Sequence, residues 1–227
     1  MGRAAAPGWT HERRVSGGGC RRIAGLDEVG RGCLAGPVIV AAVILNPART
    51  PRGIRDSKLL TPARREALLR AILRTAEAWS IGASDAPEID AINILNATKK
   101  AMTRAIETLS IRPDHLLIDA LTLPEVGIAQ TPITHGDRVC MSIAAASIVA
   151  KVVRDRVMDH YDQLFPQFGF AAHKGYGTRE HLVAVERHGS CAIHRTSFKG
   201  VWREGVLPFD IDGDVPDFRT DVPMNAG

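Results

Sequence analysis

The alternation of apolar and polar positions divides the chain into short segments with two different periods. Ile23 to Val29 and Val38 to Leu45 are brief apolar runs rich in β-branched residues, parted by a Gly-rich stretch, and they predict two strands. Thr61-Pro62 ahead of Arg64 to Thr75 reads as a capped helix, with Thr at the N-cap and Pro at the first helical position. Trp79 to Ser84 predicts a third strand. From Glu88 to Leu109, Ile92, Leu95, Met102, Ile106 and Leu109 recur at helical spacing and predict one long amphipathic helix. Leu116-Leu117-Ile118 forms a buried strand that delivers Asp119 at its end, Ile133 to Cys140 predicts a fifth strand, and Ser142 to about Tyr161 a helix. The stretch onward to Arg203 reads as short helices and loops. Strands in a hairpin-like meander, then strands alternating with helices, give an α/β fold with a sheet of mixed direction.

Composition narrows the class. With 227 residues, 45% of them hydrophobic and 24% charged, the chain matches ordinary globular proteins and can bury a core without metals or disulfides. Its longest apolar stretch, Leu34 to Leu45, is shorter than a membrane span. The four cysteines are scattered without metal-ligand spacing, so a reducing cytoplasm is the expected location. The net charge of +4 is unevenly spread: residues 1–22 carry +4 and residues 205–227 carry −4. The body keeps a mild positive excess that suits a nucleic-acid partner. The division expected is a flexible basic leader over 1–22, a catalytic domain over 23–160, a helical C-terminal substrate-binding extension over 161–205 and a flexible acidic tail over 206–227.

Candidate chemistry concentrates in Gly25-Leu26-Asp27-Glu28-Val29-Gly30-Arg31-Gly32. Adjacent strand residues point to opposite faces, so one of the two neighbouring acids must turn toward the interior, at a cost that a cation or a cluster of backbone N–H groups has to offset. Asp119 ends an apolar strand, the position where open α/β sheets place functional groups. Asp137 lies in His135-Gly136-Asp137-Arg138, beside the next strand. Four carboxylates in one cleft raise one another's pKa unless cations neutralise them, and an all-oxygen ligand set selects Mg²⁺ or Mn²⁺ over zinc.

These residues, together with Asp56-Ser57-Lys58, Asn93-Ile94-Leu95 with Ala97-Thr98, Leu117-Ile118-Asp119, Gly136-Asp137, Ser142 to Val152 with Arg154-Asp155, and His173-Lys174-Gly175-Tyr176, resemble ribonuclease HII from about Arg22 to Lys199. The resemblance implies an RNase H-like fold with a mixed five-stranded sheet flanked by helices. It implies an endonuclease that hydrolyses the RNA strand of RNA/DNA hybrids and nicks duplex DNA 5′ of an embedded ribonucleotide. Two metal ions would serve the reaction, leaving 5′-phosphate and 3′-hydroxyl ends. By the same resemblance Asp27, Glu28, Asp119 and Asp137 would be the catalytic metal ligands. Gly30, Arg31 and Gly32 would contact the ribose 2′-hydroxyl, Tyr176 would pack on the neighbouring sugar, and Lys58, Ser147 and Lys151 would hold phosphates. The expected partners are hybrids and ribonucleotide-containing duplexes, with no membrane and no obligate second copy. The family commonly has Gly and Asn after the aspartate where Ala120 and Leu121 stand, and Lys where His135 stands.

Other conspicuous residues have plainer expectations. Asp155 is placed to pair with Lys151 one helical turn earlier. His173, His181 and His194 lack tight metal spacing and read as surface or hydrogen-bonded rings. Ala144 to Ala146 reads as a helix packing closely on the sheet, and Trp79 and Trp202 as packing residues.

Overall fold

The computed structural model describes residues 6–201. Five strands, β1 (Ile23–Val29), β2 (Val38–Ile44), β3 (Ala78–Ser84), β4 (His115–Asp119) and β5 (Ala129–Ile133), form one sheet in the order β3-β2-β1-β4-β5. The first three are antiparallel neighbours, while β1, β4 and β5 run parallel, so the sheet is mixed as expected.

Both faces are covered. On one, Ala24, Leu26, Val40 and Ala42 meet Ala97, Ala101, Met102 and Ala105 of α4 (Ile94–Glu107), with Ile89 of α3 (Ala86–Ile92). On the other, Ile39, Ala41 and Val43 meet Leu68, Leu69 and Ile72 of α2 (Pro62–Thr75) and Ala144 to Ala150 of the central helix α6 (Met141–Leu164). Two glycines set the helix distances. A Cβ on Gly25 would lie 2.2 Å from the Ser142 carbonyl carbon, and one on Gly82 would lie 1.9 Å from the Ala101 oxygen. Residue size at these points therefore decides how near α6 and α4 come. The Ala144 to Ala146 run does pack fully buried against the sheet.

Several expectations change. The helix expected over 88–109 is two: Asn93 takes a left-handed φ of 66° and its side chain accepts from the Asn96 amide at 3.0 Å, ending α3 and capping α4. At φ 66° and ψ 164° the backbone lies outside the left-handed helical well, and the Asn93 side-chain oxygen supplies the cap; periodicity alone registers neither feature. The fifth strand ends at Ile133, and Asp137 instead sits on a one-turn helix, α5 (Gly136–Val139), entered through His135 at φ 54°. Trp79, expected as a core or packing residue, is 43% exposed on the edge strand β3, whose burial alternates along its length. Trp202 and residues 206–227 lie outside the described residues.

The leader is not a free tail where it is described. Trp9 precedes α1 (Thr10–Gly17), whose buried Glu12 Oε1 accepts from the Ser142 amide and hydroxyl, both at 2.8 Å, and from the Cys140 thiol at 3.2 Å. A carboxylate from another helix thus caps the start of α6, where the partial positive charge of the helix favours it. Burial, with Glu12 nearby, pushes the Cys140 thiol up to about 12.

At the other end, α7 (Phe170–His173) and α8 (Arg179–His188) enclose a satellite core of Ala35, Met158, Phe168, Phe170 and Val185. His181 and His194 are buried in it with their ring nitrogens 3.0 Å apart, so they are hydrogen-bonded and not surface histidines. Among the described residues no helix is long and apolar enough to cross a membrane.

Burial drives His181 down to about 3 and His194 to about 4, from an ordinary value of 6.5. The unfolded rings therefore take up protons first as pH falls, and stability is lost from about pH 6.5 downward, by roughly 1.4 kcal/mol per pH unit for each ring. Urea midpoints should drop clearly between pH 7 and pH 5; a flat profile would contradict the buried neutral pair.

Candidate active site

Parallel pairing of Leu26 with Ile118 brings the next residues, Asp27 and Asp119, together at the C-terminal ends of β1 and β4. Asp27 shares the α6 face of the sheet with Gly25, because strand side chains alternate. It is buried, its Oδ1 accepts the Glu28 amide at 2.8 Å, and Ser147 of α6 acts on it electrostatically. Burial holds Asp27 well above the usual carboxylate range, reinforced by the charges of Glu28 and Asp119. Burial also raises Glu28; Arg31, 3.3 Å from its Oε1, opposes that rise and Asp119 adds to it.

Asp119 Oδ1 accepts the Gly136 amide at 2.8 Å, which fixes the start of α5 and brings Asp137 into the group. Asp137 is raised by burial, then by Asp56 and Asp119, against the pull of Lys58 and Arg138. Asp56 is a fifth acid that sequence reasoning missed. It is buried, accepts the Lys58 amide at 2.9 Å, and lies 3.4 Å from Arg138 Nε. Its motif was visible as Asp56-Ser57-Lys58, but only the lysine drew notice. The hydroxyls of Ser57 and Ser147 are 3.0 Å apart and link this turn to Asp27. Ala120, where a glycine is usual, keeps the left-handed φ of 52°, so the turn after Asp119 survives with a Cβ present.

The donor set fits a divalent cation. Glu28 Oε2 is buried without a hydrogen-bond partner, and the acids around it raise one another's pKa. All the candidate ligands are hard oxygens. Among the described residues no three His, Cys, Asp or Glu groups close on a single point as they stand.

Beside the acids runs the segment from Gly30 to Pro37, held by two fully buried guanidiniums. Arg195 donates to the carbonyls of Gly30 at 2.6 Å, Arg31 at 2.8 Å and Gly36 at 2.8 Å, and Arg154 to those of Pro37 at 2.9 Å and Ala35 at 3.0 Å. Neither has a carboxylate within ion-pair distance among the described residues, and burial pushes Arg195 down to about 10. Arg154 also donates to the Lys174 carbonyl at 2.8 Å, and Gly175 accepts from Leu34 at 2.8 Å. Tyr176 is thereby fastened next to the Gly30 segment and is 43% exposed.

The glycines differ in their reasons. A Cβ on Gly30, at φ 94°, would meet Arg154 Nε at 2.2 Å, so packing alone requires glycine there. At Gly32 a Cβ would meet no atom within 4 Å, so nothing inside the protein demands one. Lys58 and Ser147 thus stand with the acids, and Gly30, Arg31 and Gly32 with Tyr176. Lys151 lies one turn beyond Ser147 and pairs with Asp155 at 2.6 Å, as its spacing implied, with Arg65 3.8 Å away on the other side of Asp155. Arg195 went unnoticed in the sequence, since burial of a lone arginine leaves no periodic trace.

A mixed sheet that gathers acids from parallel strand ends, beside an anchored Gly-Arg-Gly segment, forms the candidate site. In comparison with known proteins, the ribonuclease HII family pattern matches residues 24–201. Ribonuclease HII of Moorella thermoacetica is 54% identical over 188 residues, covering 83% of this chain and 91% of the relative. That of Solibacter usitatus is 48% identical over 211 residues, 93% and 92%. The chain belongs to the ribonuclease HII family, endoribonucleases that degrade the RNA of RNA/DNA hybrids.

Among solved structures, ribonuclease H2 from Pyrococcus horikoshii superposes with a TM-score of 0.66 at 25% identity, over 79% of this chain and 95% of that one. The RNase HII of the PCNA complex from Archaeoglobus fulgidus gives 0.66 at 26% identity, over 77% and 92%. Bst-RNase HIII in complex with Mn²⁺ shares the fold, with a TM-score of 0.60 at 18% identity, over 79% and 67%.

Arg195→Met should strand the carbonyls of Gly30, Arg31 and Gly36 without their buried donor. Each such loss costs about 1–3 kcal/mol, so thermal denaturation should show a midpoint many degrees lower. An unchanged midpoint would show that these carbonyls find other partners.

Proposed function

We propose that this chain hydrolyses the RNA strand of RNA/DNA hybrids and also nicks duplex DNA on the 5′ side of a single embedded ribonucleotide, leaving 5′-phosphate and 3′-hydroxyl ends. The observation that carries the reading is the buried acid group with its unpartnered Glu28 Oε2, adjoining the anchored Gly30 to Pro37 segment. Asp27, Glu28, Asp119 and Asp137 are assigned as the ligands of Mg²⁺ or Mn²⁺. Ions bound there would supply an acidified water as nucleophile and stabilisation of the leaving 3′ oxygen.

The remaining roles belong to the protein's own groups. The Glu28 amide orients the Asp27 carboxylate through its hydrogen bond. Arg31 balances the charge of Glu28, and its flanking glycines, Gly30 and Gly32, leave the backbone accessible to the ribose 2′-hydroxyl, the group that separates RNA from DNA. Tyr176 packs on the adjacent deoxyribose, and Lys58, Ser147 and Lys151 hold backbone phosphates without reading sequence. Residues 23–160 form the catalytic unit, and 161–205 the substrate-binding extension that carries Tyr176. The enzyme acts as a cytoplasmic monomer.

The test is a labelled DNA duplex containing one ribonucleotide, incubated with Mg²⁺, Mn²⁺ or EDTA beside an all-DNA duplex and an RNA/DNA hybrid. Nicking 5′ of the ribonucleotide is expected with either ion, with none in EDTA and none on all-DNA. No nicking with either ion would sink the proposal. Asp27→Asn should bring cleavage to background while substrate binding persists; retained cleavage would remove Asp27 from the metal site.

A further inference from the structure

We infer that His181 and His194 are positioning residues for Tyr176, joined in a directed relay of hydrogen bonds that ends on the Tyr176 carbonyl. The inference deepens the assignment of Tyr176 as a substrate contact and rests on it.

Heavy-atom partners dictate where each ring proton sits. The Cys191 amide lies 2.9 Å from His194 Nδ1, and an amide N–H can only donate, so that nitrogen is bare. The proton of a neutral His194 is then on Nε2, which faces His181 Nε2 at 3.0 Å. His181 accepts there and carries its own proton on Nδ1, which donates to the Tyr176 carbonyl at 2.8 Å. A third ring completes the set. His173 lies stacked on His181, with centroids 4.3 Å apart and planes 14° apart. Its Nδ1 accepts from the Gly175 amide at 3.2 Å, and its Nε2 donates to the Phe168 carbonyl at 2.8 Å. Imidazoles therefore hold both the amide that precedes Tyr176 and the carbonyl of Tyr176 itself.

The relay closes in one protonation state. A second proton on His194 would set an N–H against the Cys191 N–H, and one on His181 would set two ring N–H groups against each other. The surroundings enforce neutrality. Both rings are buried, Phe170 meets His181 edge-on at 5.4 Å, and Phe168 meets His194 edge-on at 4.8 Å. The ionisable groups acting on the pair are His173 and Cys191; Glu180 and Asp162 act on His173, and His188 lies beyond Phe168. Among the described residues no carboxylate faces the pair to favour a charged ring. The Thr178 amide also reaches the Tyr176 carbonyl, at 2.8 Å, but it belongs to the same turn; His181 brings the hold from α8.

Because the pair touches the substrate contact and not the acids, its loss should weaken substrate binding and spare the chemical step. With the full chain, Mn²⁺ and a single-ribonucleotide duplex, His181→Leu should raise KM about tenfold with kcat nearly unchanged. His181→Asn, which restores a donor near the Nδ1 position, should recover most of the loss. In a Tyr176→Ala background, His181→Leu should add nothing further. Nitrogen NMR of the wild type should find His181 protonated on Nδ1 and His194 on Nε2. If His181→Leu does not fold, His194→Leu removes the upstream half of the relay and should raise KM about threefold, again only when Tyr176 is present.

An effect of either leucine variant that persists undiminished in Tyr176→Ala would overturn the positioning role alone. If Tyr176→Ala leaves KM unchanged, the substrate-contact assignment fails and this inference with it. The opposite tautomers, or a kcat loss as large as the KM gain, would also overturn it.

Discussion

A guanidinium carries five N–H donors and keeps its charge at any pH a cell meets, so burying one without an acid demands oxygen from elsewhere. In this molecule the demand falls on the main chain. Arg154 and Arg195 converge on the carbonyls between Gly30 and Pro37, and Arg154 extends the same hold to Lys174. Three pieces of chain distant in sequence, the β1–β2 connection, α6 and the turn before Tyr176, are thereby fixed to one another. The shape of the substrate side of the site is an outcome of that arrangement more than of any apolar contact. It also explains why the C-terminal helices are not a detachable appendage: Arg195 comes from their far end and reaches back across 165 residues to Gly30.

The acid group presents the reverse problem. Its charges are like-signed and partly buried, and the folded chain offers them a few amides, two hydroxyls and the peripheral cations Arg31, Lys58 and Arg138. The chain holds these carboxylates together in spite of their repulsion because strong local features force each position. Asp27 and Asp119 are fixed by strand register, Asp137 by a helix start tied to Asp119, and Asp56 by its own turn. Excess negative potential in a rigid frame is the state that cation binding relieves.

Much of this was legible in the sequence. β1 and α2 were read to within a residue or two because apolar runs, Pro and a capping Thr are local signals. Asp27, Glu28 and Asp119 stood out because carboxylates near strand ends conflict with packing, whereas Asp137, on α5, was grouped with them by the family resemblance. The misreadings share a cause: they depend on single residues whose conformation periodicity does not encode. Asn93 breaks a helix whose apolar spacing continues through it, and His135 turns the chain into α5 where β-branched residues promised more strand. Glu12 lies in a stretch whose composition looks loose, and its partners on α6, with the Gly8 hydrogen bonds to Val139 and Met141, tie that stretch to the body. Arg195 and the histidine relay were out of reach for a further reason, since their meaning is entirely in burial and in which atoms face which.

The cap that Glu12 places on α6 makes the site answerable to a residue well away from it. Cys140, at the N-cap position, makes no capping bond of its own, and the carboxylate that takes its place comes from α1, ahead of the first strand. Ser147, Lys151 and Arg154 all ride on the helix so capped. Changes in α1 can therefore alter the stiffness of the frame on which these side chains are mounted while leaving every candidate ligand untouched.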